Sequence, residues 1–469
     1  MSPPRANGRG AVWTEERGVR NERLSDEGRQ RLKNTRRRTG KPSARRRAGQ
    51  AMRMPQGALQ SRNFRLLLGC DIVSIAGTAV ASVAIPFAVL AVGGSATDVG
   101  YVTVAALVPM IVFLLVGGVV ADRLPRHQVM MAADALQCLA QAASAVILLA
   151  GVARIWELAV LAMLRGIGLG FYFPAALGLL PQTVPADQRA QANAIDRIGR
   201  YGGQIGGAAL GGLLVGFAGP GWGLVIDAAS FAAAVALRAG MRFPAGARST
   251  RPTSRTGVFH EMREGWRDFI SRRWLWSIVA QFACIVAIST AATSVLGPVV
   301  AHTRLGGARS WGLILAGYAV GAMVGGMVML KFQPRRMLLA ATIAVFPTAL
   351  MLFALAVPLA APLIAALSLI AGGCMTVFGV NWSTTMQQEI PPEKLSRLSS
   401  YDALGSFALS PVGAVVAGPL AGVFGPGPVL VAGGVVVIVL TAAVLFVPEV
   451  RQLARTPAPT HDHVTLNTP

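Results

Sequence analysis

Hydrophobic and polar positions alternate along the chain on a coarse scale. Apolar runs lie near 64–92, 98–121, 128–151, 155–179, 191–218 and 221–240, a polar gap follows at 241–273, and six more runs lie near 274–300, 310–332, 335–357, 360–386, 398–425 and 427–447. About 20 apolar residues is the length an α-helix needs to cross the hydrocarbon core of a bilayer. The pattern therefore predicts an all-α membrane protein with twelve transmembrane helices, six on either side of a linker. Within the gap, Val258, Met262, Trp266 and Phe269/Ile270 recur at helical spacing. That predicts a helix lying at the membrane surface.

The two halves also echo each other. A shift of 206 residues lays Gln182, Val184, Pro185, Asp187 and Asp196 on Gln388, Ile390, Pro391, Glu393 and Asp402. The same shift lays Gly199, Gly207, Gly212 and Gly219-Pro220-Gly221 on Gly405, Gly413, Gly418 and Gly425-Pro426-Gly427, while Ser61-Arg62 is echoed by Ser271-Arg272. Apolar segments share Gly and Ala by chance, but not a polar loop at one fixed offset. The repeat predicts two six-helix bundles related by a pseudo-two-fold axis, with a ligand bound between them.

Composition agrees: 53% of the 469 residues are hydrophobic, 14% are charged, and the mean hydropathy is +0.54. The net charge of +22 is concentrated at the start, where residues 1–53 hold sixteen Lys/Arg against five Asp/Glu. Residues 1–58 lack apolar periodicity and are expected to be a disordered basic arm. Such an arm is a solvated tail, a contact for anionic lipid, or an upstream extension that a start at Met52 or Met54 would omit. No recognition fold accompanies it, so nucleic-acid binding is not expected. The expected organisation is then a bundle over 59–240, a linker over 241–273, a second bundle over 274–448 and a tail over 449–469. Cys70, Cys138, Cys284 and Cys374 stand singly in apolar runs and read as small core residues, without metal-site spacing.

Loop charge sets the orientation, because Lys and Arg are retained on the cytoplasmic side. Arg123 with Arg126, Arg189, the linker arginines, Lys331 with Arg335–Arg336, and Lys394 with Arg397 all fall in even-numbered loops; Arg154, Arg304 and Arg309 are the exceptions. Both termini are expected in the cytoplasm of a multi-pass cell-membrane protein, with the lipid bilayer as its solvent and a monomer as its unit.

Residues 117–128, GGVVADRLPRHQ, interrupt two apolar runs with a knot of charge. The spacing Gly118, Asp122, Arg123, Arg126 resembles the loop signature of the major facilitator superfamily, with Pro125 and His127 departing from its pattern. The resemblance implies a cytoplasmic gate in which Asp122 pairs with arginine and a helix N-terminus. A positive-inside stop would explain the two arginines but not the acid. Gly203, Gly207, Gly211 and Gly212 resemble the antiporter motif of the same superfamily, with Ala208 where proline is usual; bare close packing is the alternative. Leu161-x-x-x-Arg165 is similar to its membrane arginine motif. Phe64-Arg65, Ser74-x-x-Gly77, Gln182-x-x-Pro185 and the Gly219 turn before Ile226-Asp227-Ala228 resemble the branch containing the enterobactin exporter and the macrolide efflux proteins.

Charges within spans need partners. Asp71 and Asp134 lie about 10 Å from the cytoplasmic ends of their helices, with Arg165 deeper on an antiparallel one. Asp71–Arg165 is thus the expected proton-coupling pair, with Asp134 its rival and a static ion pair the alternative. Asp227, near the outer face, is expected to pack or to snorkel. The substrate cavity is expected between spans 1, 2, 4, 5, 7, 8, 10 and 11, lined by Phe171, Tyr172, Phe173, Gln281, Phe378, Asn381 and Trp382, with few polar groups.

No Walker lysine loop, HExxH or GxSxG is present in the sequence, which argues against ATP-driven transport and against an enzyme, and no cofactor is implied. The expected function is a secondary active transporter exporting a small amphipathic drug, macrolide-like compound or siderophore, in exchange for protons. A proton-coupled importer on the same fold and a non-transporting membrane sensor or scaffold are the alternatives.

Overall fold

The computed structural model describes residues 57–242, 258–332, 334–357 and 359–453. The expected basic arm up to residue 56, the linker over 243–257 and the tail from 454 lie outside the described residues. Gly57 and Ala58, which the arm was expected to include, belong to the fold: Ala58 is buried and its N–H donates to Gln191 Oε1.

Twelve long helical spans follow one another: α1 (Arg62–Ala91), α2 (Ala96–Arg123), α3 (Arg126–Leu149), α4 (Ile155–Thr183), α5 (Arg189–Ala218), α6 (Pro220–Ala239), α7 (Arg273–Arg304), α8 (Ala308–Lys331), α9 (Met337–Ala356), α10 (Ala361–Glu389), α11 (Leu398–Phe424) and α12 (Pro426–Leu445). All but α5 contain a stretch long and apolar enough to cross a membrane by length and composition. α5 is long enough at 30 residues, but it carries Asp196, Arg197 and Arg200 in its first half and glycines in its second. In a bilayer the backbone must satisfy its own hydrogen bonds, so the apolar runs become helices. The polar breaks then close each end: Ser95 and Asp98 form a reciprocal capping box at the start of α2.

Three spans of the second half are interrupted rather than continuous. A π-turn over Ala291–Leu296 precedes Pro298 in α7, a non-helical turn precedes Pro347 in α9, and another precedes Pro411 in α11. Proline lacks the amide N–H and clashes with the preceding turn, so each helix re-registers just before it.

The repeat is visible in the contacts. The loops before α6 and α12 turn on Gly219 and Gly425, at φ 89° and 82°, a left-handed conformation open to glycine, each followed by a proline that starts the next helix. Ser61 Oγ donates to the carbonyl of Thr183 at the end of α4, and Arg272 Nη1 donates to the carbonyl of Glu389 at the matching place in α10. Within the first bundle α1 packs on α5 and α6, and α2 on α4; within the second α7 packs on α11, and α8 on α10.

The bundles meet along α5–α8 and α2–α11. Gly212 meets Gly312 where an added Cβ would stand 2.8 Å from the opposing Cα, and a Cβ on Gly100 would stand 2.5 Å from the Ala414 carbonyl. Phe87 meets His302 edge-on at 6.1 Å, and Arg309 covers the Phe217 ring at 3.6 Å. All these contacts lie in the helix halves away from the linker. The linker side carries the surface helix Val258–Ser271, where Phe269 is buried against Tyr401 and Asp268 pairs with Lys394 at 2.7 Å, as the amphipathic pattern predicts. Glu449, expected in the tail, instead accepts from the Trp274 N–H at the start of α7.

Candidate functional site: a buried ion network beneath a cavity

The linker-side ends of α1, α4 and α6 are tied together. Besides the Ser61–Thr183 bond, Asn63 Nδ2 donates to the Arg242 carbonyl and the Arg242 N–H donates back to Asn63 Oδ1. These ties fix the register of three helices whose next turns carry Asp71, Tyr172 and Arg238.

Arg238, in the last turn of α6, has a fully buried side chain and holds two acids. Its Nη2 reaches Asp71 Oδ1 at 3.1 Å, and its Nη1 pairs with Asp134 of α3. Tyr172 donates its hydroxyl to Asp71 Oδ1 at 3.0 Å and accepts from Arg238 at 3.2 Å, with the guanidinium 5.2 Å from the ring centroid. Arg200 of α5 reaches the other oxygen, Asp71 Oδ2, at 3.4 Å. Both oxygens of Asp71 are thus engaged by cationic or phenolic donors from three other helices. Burying charge is costly unless it is paired and hydrogen-bonded, and this network supplies the partners.

Above it lies a cavity of about 560 Å³ between the bundles. One wall is a stripe of α5, Arg197, Arg200, Tyr201, Gln204 and Ala208, at the i, i+3, i+4, i+7 spacing of one helix face. α1 contributes Ser74, Thr78 and Ser82, α3 Gln137, α4 Tyr172 and Phe173, and α8 Leu315 and Tyr318. Tyr172 and Arg200 belong to both the cavity wall and the ion network.

Asp71 and Asp134, expected as rivals for Arg165, instead share one cation, Arg238. α4 runs on to Thr183, past the expected end at 179, which sets Arg165 eighteen residues from the linker-side end, about 27 Å along the axis. Tyr172, two turns nearer that end, occupies the level of Asp71. Among the described residues Arg165 forms no ion pair; its charge acts on Asp227. Asp227 does not snorkel: its carboxylate is fully buried, accepts from Gln141 Nε2, and lies against Gly77, where an added Cβ would stand 2.9 Å from Oδ1.

Of the expected cavity residues, Tyr172 and Phe173 line it. Phe171 instead packs on Phe113, with ring centroids 5.4 Å apart. Gln281 donates to Thr441 inside the second bundle. Phe378 stacks between Phe282 and Trp382, Trp382 donates to Asp402, and Asn381 donates to the Val377 carbonyl. These side chains fill the second bundle's interior because their face of α10 turns inward, and the cavity is correspondingly more polar than expected. Gly203, Gly207 and Gly211 face α1, where an added Cβ would strike Ile72, Ala76 and Val80 backbone, and Gly212 faces α8. In the loop after α2, Arg123 is exposed, Gly118 borders open space, and the Arg126 guanidinium fills the space beside Gly178 of α4. The side chain of Asp122 lies outside those described.

Arg238 escaped the sequence reading because it closes a span, where a retained positive charge is unremarkable. The α5 stripe is legible as polar residues at helical spacing, on a face adjoining the glycines that meet α1.

The chain is 27% identical over 402 residues to the multidrug efflux pump Tap of Mycolicibacterium fortuitum, covering 83% of this chain and 96% of that one. It is 25% identical over 400 residues to the enterobactin exporter EntS of Salmonella typhi, covering 84% and 94%. In fold it matches a POT family transporter crystallised with 5-aminolevulinic acid, at TM-score 0.68 and 12% identity, covering 83% of this chain and 97% of that one. The profile of the Major Facilitator Superfamily matches residues 67–411, most of the twelve-helix unit. With two six-helix bundles, a cavity between them and this match, the chain belongs to the Major Facilitator Superfamily.

Proposed function

We propose that the protein exports a small amphipathic molecule across the cell membrane by alternating access, in exchange for protons, with Asp71 as the proton-carrying group. The observation that carries this reading is the position of Asp71 between the cavity and the buried charges: Tyr172 and Arg200 touch it and also line the cavity. Lys/Arg-rich loops favour the cytoplasm for the linker side. The Gly212–Gly312 and Phe87–His302 contacts then lie on the far side, which supports a state closed there and accessible from the cytoplasm. The named efflux relatives favour export over import.

In this state Arg238 and Arg200 neutralise Asp71. A proton on Asp71 removes one acid from the network: Arg238 keeps Asp134, while Arg200, 36% exposed, loses its ion-pair partner and is freed towards the cavity. Loss of the Asp71–Arg200 tie loosens α1 from α5, and α5 carries that change to the other bundle through Gly212. On the cytoplasmic side, Asp122, Arg123 and Arg126 are proposed to hold the closed state.

Gradient-driven flux into or out of proteoliposomes tests the assignment. Asp71→Asn is expected to abolish uphill transport while equilibrium exchange of substrate continues. Uphill transport surviving in Asp71→Asn but lost in Asp134→Asn would move the proton site to Asp134.

A further inference from the structure

Export of a small amphipathic molecule leaves the chemical class of the substrate open, and the charges around the cavity narrow it. Arg197 and Arg200 both reach the cavity wall, eight and eleven residues into α5, about 12 and 16 Å from its linker-side end. Among the described residues no carboxylate lines the cavity. Asp71 lies behind Tyr172 and Arg200 with both oxygens engaged, and its side chain is only 7% exposed. Asp134 is fully buried against Arg238, and Asp196, one turn before Arg200, has Oδ1 buried and is not part of the wall. Asp71 and Asp134 are hidden, Asp196 is half-buried outside the wall, and the cations face the space.

Arg200 is 36% exposed and gives a single long contact of 3.4 Å to Asp71, leaving other donors of its guanidinium for a ligand. Arg197 is exposed and makes no ion pair among the described residues. Low-dielectric walls concentrate the field of such charges within the cleft. The faces of Tyr201, Tyr318 and Phe173 would by themselves attract a cation. Two guanidiniums in the same wall reverse the sign of the sum, and the rings then serve as apolar surface for an aromatic body.

We propose that the cavity takes an organic anion: an amphipathic molecule with a carboxylate, phenolate or sulfonate on an aromatic body, clamped by Arg197 and Arg200, with lipophilic cations excluded. This rests on the export reading and specifies its substrate.

Two dyes of one ring shape and opposite charge, fluorescein and rhodamine 123, separate the outcomes when offered to the full chain in proteoliposomes under an imposed proton gradient. The expected result is fluorescein transport with kcat/KM at least tenfold above that of rhodamine 123. Arg197→Glu is expected to raise the KM for fluorescein about tenfold or more, as loss of a charge-assisted contact implies, and to admit rhodamine 123. Arg197→Lys keeps the charge and should keep fluorescein transport, so a loss in the glutamate variant alone reports charge rather than folding. Preferential transport of rhodamine 123 by the native chain would overturn the anion proposal and leave export standing. Absence of gradient-driven flux of either dye would overturn the export reading, and the anion proposal with it.

Discussion

Arg238 is one guanidinium shared by two carboxylates from different helices, and its removal takes a partner from each. Arg238→Met is expected to destabilise the protein by about 3–5 kcal/mol, the cost of leaving buried charge unpaired. Asp71 retains Arg200 and Tyr172, so the uncompensated group in that variant is Asp134. Adding Asp134→Leu should therefore recover most of the loss, because an apolar pair in place of a buried ion pair is often neutral. Thermal melting of the purified variants checks this, and a single substitution with an unchanged Tm would mean that the network contributes nothing to stability. At this scale the acids were legible and their partner was not. An acid inside an apolar run is conspicuous wherever it falls, whereas an arginine in the last turn of a span has a topological explanation already. Depth along an axis also says nothing of which face a side chain takes, so the sequence separates neither Arg165 from Arg238 as the partner nor the two roles of Tyr172.

α5 shows how one element combines packing and chemistry. One face carries Gly203, Gly207 and Gly211 against α1; another carries the Arg197–Gln204 stripe into the cavity. An added Cβ at Gly207 falls on the Ala76 backbone, which has no rotamer to give, whereas Gly206 has nothing within 4 Å. Gly207→Ala is expected to cost about 1–3 kcal/mol as overpacking, and Gly206→Ala to leave the melting temperature unchanged. Equal behaviour of the two would remove the α1–α5 approach as the reason for the glycines. The existence and order of the spans were readable because twenty-residue apolar runs have no other stable form in lipid. The breaks at Pro298, Pro347 and Pro411 were present in the sequence too, but hydropathy is blind to them. α5 answers to the same apolar count and is the least apolar of the twelve, because it carries charge and bare backbone on adjoining faces.

Across the whole molecule the pseudo-symmetry holds in the scaffold and fails in the chemistry. Among the described residues the buried ion pairs lie in the first bundle, while the second is filled by the Phe282–Phe378–Trp382 stack and the Gln281–Thr441 bond. The proposed switch in the first bundle acts on transport only if the bundles move against each other, and the proposed seal at the α5–α8 contact is where that motion would begin. The seal depends on α5 and α8 touching through glycines: an added Cβ at Gly312 stands 2.5 Å from the Gly212 Cα and 2.7 Å from the Ala208 carbonyl, all backbone. Gly312→Val cannot be accommodated by a rotamer change, so it should hold the far side open. Ser82 reports the result, since it lines the cavity nine residues from the far end of α1. With the four native cysteines replaced, Ser82→Cys should resist a membrane-impermeant maleimide applied from the far side. With Gly312→Val added it should react several-fold faster, and substrate flux should fall because closure is blocked. Unchanged labelling in the double variant would mean that the Gly212–Gly312 contact is packing alone, and that the seal resides in the α2–α11 contact at Gly100 and Ala414.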